Sequence, residues 1–85
     1  MESVRVIVKF IGNIKDAMGK EQQEMQVSPD IRTAAGDLRK EMIKVAPDLL
    51  YTMLINGSHY TYAMNQGVLL KDGDELKIIP VMLGG

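Results

Sequence analysis

The residues best placed to do chemistry are the last two, Gly84 and Gly85. Neither has a Cβ, so their backbone can take conformations closed to other residues and can thread a narrow channel. The carboxylate that follows them sits on an unhindered, extendable arm. An enzyme could activate that carboxylate as an acyl adenylate and pass it to a nucleophile. The plain alternative is a frayed end, a common fate of chain termini.

Side chains offer little else. There is no cysteine, which removes disulfides, thiol nucleophiles, side-chain persulfides and every Cys-based metal site. The single histidine, His59, cannot build a metal site alone and sits in no recognisable triad; it reads as a strand or loop residue without chemistry. Asp72, Asp74 and Glu75 bunch near the end, but their spacing is not that of a calcium loop, and Asp-Gly is a turn signal. Lys71 and Lys77 read as solvating residues.

Composition narrows the classes further. The formal charge is −1 and the apolar content is 46%, so the chain is globular and has no basic field for nucleic acid or an anionic membrane. No stretch approaches the roughly 18 apolar residues that a membrane span needs. The start lacks a charged region followed by a long apolar one. A cytoplasmic protein is expected.

The elements that must position the tail can be read in order. Val4, Val6, Val8 and Phe10 alternate with Arg5, Ile7, Lys9 and Ile11; both faces carry apolar residues, which predicts a central strand ended by Gly12-Asn13. Ile14 to Met18 predict one helical turn closed by Gly19. Lys20 to Val27 predict a more polar edge strand whose buried face is set by Met25 and Val27. Ser28-Pro29-Asp30 is a turn and a candidate cap.

From Thr33, itself a candidate N-cap, the period becomes helical. Ala35, Leu38, Met42 and Val45 are predicted on one face, with Asp37, Lys40, Glu41 and Lys44 opposite, until Pro47 stops the helix. Gly36 weakens this helix by about 1 kcal/mol relative to Ala. Leu50 to Ile55 predict a third strand, turned by Asn56-Gly57. Tyr60 and Tyr62 suggest a short strand, with a loop over Met64-Asn65-Gln66-Gly67. After the turn Lys71-Asp72-Gly73-Asp74, a final strand runs from Leu76 to Met82. Pro80 should loosen its pairing and release the tail.

Strand, strand, helix, strand, strand, with apolar first and last strands, predicts an α+β fold. The expectation is a β-grasp, or ubiquitin-like, arrangement: a mixed sheet with parallel first and last strands and one main helix across it. One domain over residues 1–85 is expected, with a flexible Gly-Gly tail from about residue 80.

At this point the residues resemble the MoaD/ThiS family of sulfur-carrier proteins, most of all the small subunit of molybdopterin synthase. Five pieces carry the resemblance, in order along the chain. Asn13 to Glu21 is similar to the family's helical turn after its first strand, and Ala34 to Met42 to the start of its helix. Met53-Leu54-Ile55-Asn56-Gly57 is similar to its Val-Asn-Gly strand and turn. Leu70-Lys71-Asp72-Gly73-Asp74-Glu75-Leu76 resembles its Leu-x-Asp-Gly-Asp-Glu-Val/Leu box, and Ile79 to Gly85 its Pro-Pro-Val-x-Gly-Gly end. The departure is Val81-Met82-Leu83, a greasier stretch than the family's second proline and small residue.

The resemblance implies a carrier with no catalytic residue of its own and no bound cofactor. A ubiquitin-activating-like adenylyltransferase would use ATP and magnesium to adenylate Gly85. A sulfur donor would convert the adenylate to a thiocarboxylate, with Gly84 supplying clearance. Ile79, Pro80, Val81, Met82 and Leu83 would contact partners, although Ile79 also reads as core and Val81 as either. The resemblance further implies insertion into the large molybdopterin synthase subunit, in a heterotetramer, where sulfur passes to a pterin precursor. Alternatives are a thiamine-pathway sulfur carrier, a ubiquitin-like modifier joined to lysines, and a non-covalent interaction module.

Overall fold

The computed structural model describes residues 2–81. The elements follow in order as β1 Val4–Phe10, α1 Asn13–Met18, β2 Gln22–Val27, α2 Ile31–Val45, β3 Tyr51–Ile55, β4 Ser58–His59, α3 Tyr60–Asn65 and β5 Glu75–Pro80. The strands form one mixed sheet in the order β2-β1-β5-β3-β4. β1 pairs antiparallel with β2 and parallel with β5, and β5 pairs antiparallel with β3. This is the ubiquitin-like β-grasp arrangement, with the first and last strands side by side.

The register follows from period-two alternation on the apolar strands. Val6, Val8 and Phe10 of β1, Met53 and Ile55 of β3, and Leu76 and Ile78 of β5 are all buried. They meet Ile31, Ala34, Leu38 and Met42 of α2 in one core cluster with Ile14, Met18, Val27, Ala63 and Leu70. β2 is the polar edge that its composition predicts; it buries Val27, while Met25 is half-buried.

Three local expectations are corrected. α2 begins at Ile31, and its N-cap is Asp30 rather than Thr33: Asp30 Oδ2 accepts from the Thr33 amide at 2.9 Å and from the Thr33 hydroxyl at 2.8 Å. Its buried face is therefore Ile31, Ala34, Leu38 and Met42, and Val45 at the last turn is 55% exposed. Tyr60 and Tyr62 lie in α3, not in a strand. That helix is capped by His59, whose Nδ1 accepts from the Thr61 amide at 3.2 Å.

Other details hold. α1 is closed by the Gly19 amide donating to Lys15 O at 2.9 Å. The Asn56-Gly57 hairpin has both residues at positive φ, as a two-residue connection requires.

Candidate functional site: the root of the C-terminal tail

β5 is the element that would hold the tail, and it occupies the middle of the sheet. Its launch point is built from the acidic residues of the preceding turn. Asp72 Oδ1 accepts from the Arg5 amide at 2.8 Å, and Asp74 Oδ2 accepts from the Lys71 amide at 2.8 Å. The Gly73 amide donates to Arg5 O at 2.8 Å, and the Ile7 amide to Asp74 O at 2.9 Å. Glu75 pairs with Lys9 across the ladder at 3.0 Å. Asp72 and Asp74 thus satisfy backbone amides and fix where β5 starts against β1, which is the turn role that their spacing predicts.

At the far end the two neighbours of β5 stop at different points. On the β1 side the last ladder bond is from the Ile11 amide to Ile78 O at 3.0 Å. On the β3 side pairing runs on, and the Val81 amide donates to Leu50 O at 3.3 Å. Alternation turns the nitrogen of Pro80 toward β1, where no donor is needed because β1 has ended. Pro80 is therefore the last residue of β5 rather than the first of a loose tail.

The ring of Pro80 also lies against the end of β1 at the exit. Gly12 has φ +62°, and a Cβ built on it would lie 3.5 Å from Pro80 Cγ. The backbone that leaves β1 thus passes close to the ring from which the tail departs. Asn13, Ala17, Ala46, Pro47, Asp48, Leu49 and Leu50 surround Pro80 and Val81 in a shallow depression. Leu50 and Val81 are exposed there, at 54% and 41%.

The predicted site residues divide accordingly. Ile79 is half-buried beside Thr52 on the sheet face opposite α2, so its reading as core is corrected: alternation sends Leu76 and Ile78 inward and Ile79 outward. Pro80 is half-buried and Val81 exposed. Met82, Leu83, Gly84 and Gly85 lie outside the described residues. Sequence reasoning missed Gly12 and Leu50 as neighbours of the exit. The signal available for Gly12 was a glycine placed where the first apolar strand ends.

His59 has a local task. Its Nδ1 caps α3, its Nε2 lies 3.0 Å from Thr52 Oγ1, and its ring stacks on Tyr60 with centroids 5.0 Å apart. Since Nδ1 accepts, Nε2 carries the proton and donates to the threonine hydroxyl.

No protein-family model matches the chain, and no curated protein matches it. Among solved structures it is similar to small archaeal modifier protein 1 from Methanosarcina acetivorans, with 22% identity, a TM-score of 0.74 and all of both chains covered. Small archaeal modifier protein 1 from Haloferax volcanii is similar at 20% identity and a TM-score of 0.68, over 95% of this chain and 99% of that one. A candidate subunit 1 of a molybdopterin converting factor from Pyrococcus furiosus is similar at 21% identity and a TM-score of 0.67, over 94% of this chain and 100% of that one. The chain is a small protein of the ubiquitin-like β-grasp fold that these three share.

Proposed function

We propose that the chain is a carrier whose Gly85 carboxylate is activated and loaded with sulfur. The carboxylate would attack the α-phosphate of ATP on an adenylyltransferase partner, with magnesium neutralising the phosphates and pyrophosphate leaving. Hydrosulfide from a sulfur donor would then add to the acyl carbon and expel AMP, leaving a thiocarboxylate on Gly85. The finer reading is the small subunit of molybdopterin synthase, with the tail inserted into a large subunit that passes the sulfur to a pterin precursor.

The observation that supports the reading is the position of the strand that precedes the tail in the sequence. Five residues ending in Gly84-Gly85 follow directly on the central strand of a β-grasp sheet, and the exposed Val81 is the first step outward. Sulfur carried on the main chain also needs no cysteine, and the chain has none. What the carrier contributes is positioning: a rigid root that delivers the acyl carbon to another protein's active site.

A second reading is favoured by the likeness to two archaeal modifier structures. There the activated Gly85 would pass to a lysine amine and form an isopeptide bond. Both readings use the same adenylate and part only at the nucleophile. The test is the intact mass after incubation with ATP, magnesium, a cognate adenylyltransferase and sulfide. Exchange of one oxygen for sulfur, absent when Gly85 is deleted, is expected of the carrier. Gly85-dependent conjugates on cellular lysines would instead identify the modifier. An unchanged mass beside an active partner would leave only a non-covalent module.

A further inference from the structure

On the side of the sheet away from β2, α2 and β3 do not close on each other. Between them lies an open groove of about 320 Å³. Its walls include Leu38 and Met53, both buried in the core, with Tyr51 and Tyr60 beside them. Arg39 is the one charged residue in the lining. Among the described residues it has no ion-pair partner: Glu41 is taken by Lys44 at 2.8 Å, and Asp37 Oδ2 accepts from the Ser28 amide at 3.4 Å. Burial holds the Tyr51 phenol above its usual range, and the Arg39 guanidinium opposes that shift, which places its field at the groove.

Two further features describe what would fit. Gly36 lines the groove, and a Cβ built on it would meet nothing within 4 Å. The helix is thus bare where another chain could approach its backbone. The sheet edge beside the groove is also open at Tyr51. β4 pairs only Leu54 and Ile55. The amides of Asn56 and Val81 bond to Glu75 O and Leu50 O, so the even-numbered residues of this stretch turn their backbone groups toward β5. Those of Tyr51 and Met53 turn the opposite way; the Leu54–His59 pairing engages the Met53 carbonyl with the Tyr60 amide, and Tyr51 lies one step past it.

We propose that this groove, with the edge of β3 beside it, receives an extended acidic peptide segment of a partner protein. An added strand would bond to the outward amide and carbonyl of Tyr51 and send an apolar side chain over Leu38 and Met53. It would set a carboxylate against Arg39. The edge supplies main-chain bonding, the groove selects apolar residues, and the lone cation selects the charge. The surface adjoins the tail exit, with which it shares Leu49 and Leu50, but its use does not depend on the chemistry of Gly85.

The experiment uses the isotope-labelled full chain, titrated with a short peptide of alternating leucine and aspartate blocked at both ends. Amide shifts are expected at Gly36, Arg39, Tyr51 and Met53. Arg39→Glu, an exposed substitution, should weaken this peptide by about tenfold or more, as loss of a charge pair at an interface does. The same variant should gain affinity for a peptide with lysine in place of aspartate. Three outcomes would overturn the proposal: binding insensitive to Arg39→Glu, shifts confined to the β2 edge, or the same shifts produced by benzoate alone. The last would make the groove a small-carboxylate site.

Discussion

Two glycines illustrate opposite demands on single residues. Gly12 sits at φ +62° with the Pro80 ring beside it. Gly12→Ala should therefore destabilise the protein by about 1 kcal/mol or more, through a left-handed alanine, and loosen the anchoring of Val81. Gly36 sits inside a helix with open space around it, so Gly36→Ala should stabilise by up to about 1 kcal/mol. Urea unfolding of the two variants measures both. Shifts of the same sign would contradict this account of the exit.

Asp30 sets a pH dependence. Its carboxyl is held below its ordinary value, first by the Thr33 amide and then by the Thr33 hydroxyl. A depressed folded-state pKa contributes stability that is present above the unfolded value and disappears as pH falls through the folded one. The native chain should thus lose helix stability on acidification below the ordinary carboxylate range. Asp30→Ala should be less stable at neutral pH and less sensitive to acid. Thermal melts across that range check the sign.

At the scale of elements, α2 shows how far periodicity reaches. The spacing of Leu38 and Met42 is correct for the buried face, but two different continuations share it. Ala35 and Val45 extend one; Ile31 and Ala34 extend the other, and the structure takes the second. What decides is the cap. Asp30 starts the helix ahead of Thr33, which adds a turn at the front and brings Ile31 inward.

The consequence is measurable. Leu38→Ala should cost about 2–5 kcal/mol as a cavity in the core, whereas Val45→Ala should stay within roughly 0.5 kcal/mol. Comparable losses would restore the face that the spacing alone suggests.

α3 was not legible for a different reason. Tyr60, Thr61 and Tyr62 favour strands by type, and a six-residue helix carries too few turns to show a period. Its cap is a histidine side chain, which lies outside the usual N-cap set. The strands fared better, because β1 and β5 carry apolar residues on both faces and β2 does not. The candidate site was legible as a motif, Gly84-Gly85 after a central strand, but not in its anchoring. Nothing in the residue types at Gly12 and Leu50 shows that both neighbour the Pro80–Val81 exit.

At the scale of the molecule, charge has little to do with what holds the fold together. The ion pairs Lys9–Glu75, Lys15–Glu21 and Lys44–Glu41 are all partly or fully exposed. Such pairs are screened by salt and contribute little. The core is apolar, with no buried polar or charged side chain among the described residues. Raising sodium chloride to about 1 M should therefore move the urea midpoint only slightly, since the Debye length falls to roughly 3 Å. A large loss would show that the surface pairs matter more than their exposure implies.

The side-by-side placement of β1 and β5 bears on how the chain is made. While the ribosome is still adding residues, β1 has β2 along one side and nothing along the other, although Val6, Val8 and Phe10 belong to the core. Its second neighbour exists only after Glu75–Pro80 has been translated. Nearly the whole nascent chain must wait with an unpaired apolar strand, the kind of edge that invites wrong partners. Nascent chains arrested before Glu75 should be cut readily by protease and held by chaperones, and both vulnerabilities should vanish once β5 has slotted in.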